Sequence, residues 1–179
     1  KTEKVNLLIE TDAGLYRLQL IKKEDSDRIC SVRVDMGTPD FVPEHIPARF
    51  LLFRPVCVSM GNPHAVVYVD DVDNLPIEEI GPKFESHERF PRRVNTEFVK
   101  VLDRHTAQMR VWERGSAETL ACGTGACAVA VSCILNGLTE DEVTVKLLGG
   151  DLEIQWDQEK NTVYMTGPAT VVFHGRNGK

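Results

Sequence analysis

One stretch of the chain is apolar on every face. From Ala126 to Leu135 only Ser132 interrupts a run that includes Val129, Val131, Ile134 and Leu135. Alanine is the best helix former and Asn136-Gly137 supplies a C-terminal stop, so the run predicts a helix. A helix that is apolar all round must be buried. Elsewhere the periodicity is that of strands. Val5 to Ile9 and Leu15 to Ile21 flank Asp12-Ala13-Gly14, a turn-forming cluster that predicts a hairpin. Ile29 to Met36 alternates and stops at Gly37-Thr38-Pro39. Val56 to Met60 and Ala65 to Val69 lie on either side of Gly61-Asn62-Pro63-His64. Asn62 and His64 are thereby placed at a tight connection between two strands, where polar side chains can face a cleft. Pro76 to Ile80 predicts a short helix with Pro82 beyond it, and Phe98 to Val101 and Met109 to Trp112 predict strands.

After the central helix, Thr139-Glu140-Asp141-Glu142 has capping-box spacing in a segment too short for much helix. Val143 to Leu147, Leu152 to Trp156, Val163 to Thr166 and Thr170 to Phe173 follow as a meander, turning at Gly149-Gly150-Asp151 and at Asp157 to Asn161. Many short strands around one apolar helix imply an α+β fold, with a curved, mostly antiparallel sheet wrapped on that helix.

Composition narrows the function classes. The chain has 179 residues, 42% of them apolar, enough for a sizeable core. Its 27 acidic residues against 21 basic give a net charge of -6, which argues against a nucleic-acid partner. There is no run of 18 apolar residues and no basic-then-apolar N-terminus, so no membrane association is expected and a cytoplasmic location is. Five cysteines, an odd number without small-domain spacing, do not suggest a disulfide framework. No Cys-x-x-Cys pair occurs, and Cys127 and Cys133 fall inside the apolar helix, where they read as core packing rather than metal ligands. Cys30 and Cys57 sit in strand patterns without chemical context.

Cys122 is different. It precedes Gly123-Thr124-Gly125 at the start of the predicted helix. A helix N-terminus presents free backbone N–H groups and a positive dipole end. Such a place binds anions and is expected to lower the pKa of a thiol. Read by chemistry alone, the segment is equally a glycine loop before a core helix, with Cys122 as small filler.

Residues 113 to 127, Glu-Arg-Gly-Ser-Ala-Glu-Thr-Leu-Ala-Cys-Gly-Thr-Gly-Ala-Cys, resemble the second catalytic-cysteine motif of the diaminopimelate epimerase family. Three further stretches resemble that family in the same order. They are Ser59-Met60-Gly61-Asn62-Pro63-His64, the segment Glu85 to Pro91 with Val94-Asn95-Thr96-Glu97-Phe98, and Tyr164-Met165-Thr166-Gly167-Pro168-Ala169. The resemblance covers essentially the whole chain. The family uses two cysteines, the first in an Asn-Gly-x-Arg-Cys motif, and no such motif occurs here: Asn62 is followed by Pro63, and Asn136-Gly137 by Leu138-Thr139. By comparison with the family, residues 26 to 167 are expected to form the complete second domain, with residues 1 to 25 and 168 to 179 as strands of the first. The chain is accordingly expected to be a fragment, inactive alone, that needs the missing N-terminal segment as its partner. The family commonly dimerises, so a homodimer is a further expected partner; Phe173 stands where the family's closing strand often carries Tyr.

The resemblance implies an isomerase of lysine and cell-wall precursor synthesis that converts L,L-diaminopimelate to meso-diaminopimelate. It needs neither pyridoxal phosphate nor metal. Inverting an α-carbon takes a proton from one face and delivers one to the other, which two thiols on opposite faces accomplish. Cys122 is implied as one acid/base thiol, with Gly123 and Thr124 donating backbone N–H groups to the substrate carboxylate. His64 and Glu113 match residues that adjust the thiol's protonation, and Asn62, Asn95, Glu113 and Arg114 match residues that hold the distal amino-acid group. Taken singly, His64 reads as a turn residue, Glu113-Arg114 as a solvated strand-end pair and Asn95 as a turn cap. Arg89, Arg92 and Arg93 read as surface. Two alternatives stand beside the epimerase: a non-catalytic half-site that binds a carboxylate or a partner chain, and a proline racemase-like enzyme of the same superfamily. Glu113-Arg114-Gly115 with Asn95-Thr96 favours diaminopimelate, since a proline site needs no second amino-acid clamp.

Overall fold

A computed structural model describes residues 4–24, 26–41, 56–172 and 175. Its elements follow in the order β1 (Asn6–Thr11), β2 (Gly14–Lys22), β3 (Ile29–Gly37), β4 (Asp40–Phe41), β5 (Val56–Ser59), β6 (Pro63–Tyr68), α1 (Ile77–Glu85), β7 (Asn95–Asp103), β8 (Thr106–Glu113), β9 (Ala117–Thr119), α2 (Gly123–Leu135), β10 (Glu142–Leu147), β11 (Gly150–Asp157) and β12 (Thr162–Pro168). Phe173 lies outside the described residues.

The apolar run is α2, and its end is built by two hydrogen bonds. The Gly137 amide donates to Ile134 O and the Leu138 amide to Cys133 O, both at 2.9 Å. This pairing closes the last turn through a residue of positive φ, which Gly137 supplies at +67°. Ser132, the one polar interruption, bonds the Tyr68 hydroxyl at 2.7 Å, so burying it leaves no orphan. Every residue from Gly125 to Ile134 is buried. Each valine or isoleucine among them contributes roughly 1.5–3 kcal/mol from apolar area removed from water.

The sheet curves around this helix, confirming the α+β reading. α2 touches strands β5 to β8 and β10 to β12. Strand order is β1-β2-β3-β12-β11-β10-β8-β7-β6-β5-β4, with β9 paired to β8. All neighbours are antiparallel except β6 with β7 and β8 with β10. Those two parallel pairs need crossovers, and the helices supply them: α1 links β6 to β7, and α2 lies between β8 and β10.

The helices cover opposite faces. Val66, Val99, Met109 and Val111 pack with α2, whereas Val67 and Phe98 pack with Ile77 and Phe84 of α1. A strand covered on both faces loses the alternation of burial, and residues 95 to 99 of β7 are all buried. β1 and β2 extend the sheet beyond β3, and there Leu8 and Leu15 are exposed.

Three expectations are corrected. Helix α1 does not stop before Pro82 but contains it. Ile77 and Phe84 anchor it to the sheet on either side, which holds the helix across the missing donor. Two short strands, β4 and β9, escape the periodicity because two or three residues cannot show a period. Thr170 to Val172 are not strand: β12 ends at Pro168, opposite Ser31, and one more bond from the Ala169 amide to Cys30 O brings it to the start of β3. Beyond that point no strand among the described residues pairs with it.

Candidate active site

Period-two alternation decides which side chains meet. In β6, His64 shares a face with Val66; in β7, Glu97 shares one with Val99; in β8, Glu113 shares one with Val111. All three therefore lie on the face that carries α2, toward its N-terminus. Cys122 is the N-cap of α2, in extended conformation (φ −135°, ψ 107°), and its carbonyl accepts the Ala126 amide at 2.9 Å. No side chain caps the helix and no acidic residue occupies its first turn. The amides of Gly123 and Thr124 are thus at the positive end of the dipole, and the helix itself carries no counter-charge there.

A continuous polar chain joins that end to the sheet. Cys122 Sγ lies 3.6 Å from Thr124 Oγ1. Thr124 Oγ1 accepts from Asn62 Nδ2 at 3.2 Å, Asn62 Oδ1 is 3.1 Å from His64 Nε2, and His64 Nδ1 is 2.6 Å from Glu97 Oε1. The side chains of His64 and Glu97 are wholly buried. Glu113 accepts a hydrogen bond from the Thr119 hydroxyl, which holds it at the end of β8. Asn95 spends its amide on the protein: Oδ1 accepts the Arg114 amide at 2.8 Å and Nδ2 donates to Pro63 O at 3.3 Å. It thereby ties the turn after β8 to the start of β6.

The expected lowering of the Cys122 thiol is reversed. Burial pushes it from its ordinary 9.0 up to about 11, and the charges of Glu97 and Glu113 push the same way; the Thr124 hydroxyl and the Gly125 amide only partly oppose this. A thiolate in apolar surroundings beside two carboxylates is costlier than the helix end can offset. Cys127 and Cys133 are fully buried core residues, and burial raises both.

Beside the polar chain opens a cleft of about 540 Å³. Asn62, His64 and Arg114 line it, and so do Arg89, Arg92 and Cys57. Arg89 and Arg92, read from sequence as plain surface, thus stand on the wall of the cleft. Their only signal in the sequence was position: Arg89 lies inside the Glu85 to Pro91 stretch and Arg92 just after it. Arg93 does face outward, pairing with Glu85 at 3.2 Å. Glu97 was likewise missed as a site residue, since a lone acid inside a strand motif carries no sign of which face it occupies. Among the described residues, no group of His, Cys, Asp or Glu is placed to hold a metal ion, and no helix is long and apolar enough to cross a membrane.

The diaminopimelate epimerase of Acetivibrio thermocellus is 52% identical over 188 residues, covering 97% of this chain and 66% of the relative. That of Methanococcus maripaludis strain C6 is 48% identical, covering 97% and 67%. The chain therefore spans about two thirds of the length of the curated relatives it matches. In fold, it is similar to a probable proline racemase from Agrobacterium radiobacter K84, with a TM-score of 0.69 at 13% identity, covering 97% of this chain and 63% of that one. The family model for diaminopimelate epimerase matches residues 56–172, a span that contains the whole polar chain from Glu97 to Cys122, and the protein belongs to the diaminopimelate epimerase family.

Proposed function

We propose that this chain supplies one thiol of a cofactor-independent, two-thiol site that epimerises L,L-diaminopimelate to meso-diaminopimelate, in lysine and cell-wall precursor synthesis. The observation that carries this reading is the position of Cys122, at an uncapped helix N-terminus and linked through Thr124 and Asn62 to the cleft. The curated relatives named diaminopimelate epimerase support the substrate.

The chemistry follows from the parts. A carboxylate on the α-carbon docks at the amides of Gly123 and Thr124, where charge developing in the carbanion meets the positive end of α2. Cys122, held protonated by burial, serves as the acid on one face. The opposing thiol takes the proton from the other face. It is proposed to come from a segment with an Asn-Gly-x-Arg-Cys motif, a partner of this chain whether joined to it or separate. Residues 26–167 are proposed as the unit built around α2, and residues 1–25 with 168–179 as remnants of its neighbour; the exposure of Leu8 and Leu15 supports that division. Diaminopimelate has a second amino-acid head, and the guanidinium of Arg114, with Arg89 and Arg92 on the same wall, is charge-complementary to its carboxylate.

The test uses L,L-diaminopimelate in deuterated water. The chain fused to the N-terminal third of the Acetivibrio thermocellus relative is expected to invert the α-carbon with deuterium incorporation. The 179 residues alone are expected to give no net inversion, and Cys122→Ala in the fusion should abolish it. Near-normal inversion by that variant, or full turnover by the 179 residues alone, overturns the two-thiol reading.

A further inference from the structure

We propose that Glu97 is the positioning residue of this site, and that the chain Glu97–His64–Asn62–Thr124–Cys122 couples the protonation of the Cys122 sulfur to the direction in which its hydrogen bonds run. This deepens the epimerase reading and rests on it for the reaction served. The geometry itself is independent of substrate.

Glu97 is a fully buried acid whose Oε1 lies 2.6 Å from His64 Nδ1. Its other oxygen, Oε2, has no hydrogen-bond partner among the described residues. An acid so placed is costly to fold around. It touches nothing in the cleft directly, so its work is on the imidazole. As an acceptor, Glu97 keeps a proton on Nδ1 and leaves Nε2 as the variable position.

Two arrangements satisfy every link from there. In the first, the amide oxygen of Asn62 faces a protonated Nε2, and Asn62 Nδ2 donates to Thr124 Oγ1. The Thr124 hydroxyl hydrogen is then free for the sulfur, which suits a thiolate. In the second, the Asn62 amide is turned over. Its Nδ2 donates to an unprotonated Nε2, its Oδ1 accepts the Thr124 hydroxyl, and Thr124 Oγ1 accepts the S–H of Cys122. This suits a thiol. With the amide turned over, a protonated Nε2 would set donor against donor and a thiolate would set acceptor against acceptor.

The two arrangements hold the same number of protons. Passing from thiol to thiolate, the S–H bond breaks at Cys122 and an N–H bond forms at His64 Nε2. A thiol that serves as acid in one direction of an epimerisation and as base in the other needs both forms accessible. The titratable groups around Cys122 are Glu97 from β7, Glu113 from β8, and Cys127 further along α2, with His64 of β6 reached through the chain. Glu97 and Glu113 oppose the thiolate, and only the first arrangement offers it a donated hydrogen bond and a protonated imidazole.

The test needs no activity. In the 179-residue chain labelled with ¹⁵N-histidine, the His64 resonance is identified by its loss in His64→Gln, and Cys122 ionisation is read from the pH profile of its alkylation by iodoacetamide. In Glu97→Gln the proton preference at Nδ1 should be lost and the Cys122 profile should move by about one pH unit, the scale of a lost charge-assisted hydrogen bond. Thr124→Val should move the Cys122 profile while His64 keeps its Nδ1 proton, and Thr124→Ser should restore it. A folded Glu97→Gln with His64 unchanged overturns the proposal. If Glu97→Gln does not fold, the threonine pair decides: a Cys122 profile in Thr124→Val equal to that of the parent overturns it as well. Intact coupling in a fused protein that does not epimerise diaminopimelate would sink the proposed function and leave the coupling standing; epimerisation without coupling would do the reverse.

Discussion

Gly125 and Glu97 stand in contact across the helix–sheet junction: a Cβ on Gly125 would lie 2.7 Å from Glu97 Oε1 and 3.2 Å from the sulfur of Cys122. The absence of a side chain here is what lets the buried carboxylate approach the first turn of α2. Gly125→Ala gains about 1 kcal/mol of helix propensity, but the overlap costs about 1–3 kcal/mol. The expected outcome is a net loss of stability in urea unfolding, together with a displaced His64–Glu97 pair visible in the His64 ¹⁵N shifts. A variant more stable than the parent, with His64 unmoved, would contradict this account of the glycine.

A second glycine acts on the opposite face. Gly81 of α1 lies directly on the indole of Trp112, and a Cβ there would overlap the ring. The indole is pinned, because its Nε1 donates to Glu85 Oε2 at 2.8 Å. Gly81→Ala is expected to destabilise by about 1–3 kcal/mol and to broaden the tryptophan fluorescence change on unfolding. Unchanged stability would mean that α1 can shift on the sheet.

Glu85 ties α1 to the turn that carries Glu113 and Arg114. Besides the Trp112 indole, it accepts the Gly115 amide at 2.9 Å and Arg93 at 3.2 Å. The Trp112 bond, then the Gly115 amide and Arg93, hold its carboxyl below the ordinary 4.5. The depressed value means that this contribution is present above about pH 4.5 and is lost as pH falls through the folded-state value. Glu85→Gln should lower stability at pH 7 by about 1 kcal/mol and flatten the acid limb of the stability curve. An identical acid limb in the variant would remove Glu85 from the account.

Thiol accessibility and thiol ionisation set the alkaline behaviour. Cys57, Cys122 and Cys133 are each pushed by burial from 9.0 up to about 11. A raised folded-state value means that the native chain holds protons the unfolded chain has released. Stability is therefore full below about pH 9 and falls as pH rises toward 11, by on the order of 1 kcal/mol per pH unit for each thiol. Urea midpoints measured from pH 8 to 10.5 should decline accordingly. In limited alkylation at pH 8, exposed Cys30 should react first, Cys122 later, and Cys127 only on unfolding. Early labelling of Cys127 would refute the packing of α2.

The sequence by itself determined the helix and most strands, because their signals are local. An all-apolar run with a glycine stop has one solution in water, and alternating strands need a common surface to bury. The motif order likewise brought Asn62, His64, Asn95, Glu113, Arg114 and Cys122 into view. What only the tertiary structure decided lies where two faces compete. β7 is covered on both sides, so its sequence shows no alternation, and the side to which Glu97 points is settled only by register: Glu97 stands opposite Val66 and Val111. The direction of the Cys122 shift was also beyond local reading. A helix end favours thiolate, but the burial that opposes it comes from strands distant in sequence. Arg89 and Arg92 reach the cleft for the same reason, since the loop that carries them is placed by the parallel pairing of β6 with β7, at His64 opposite Asn95.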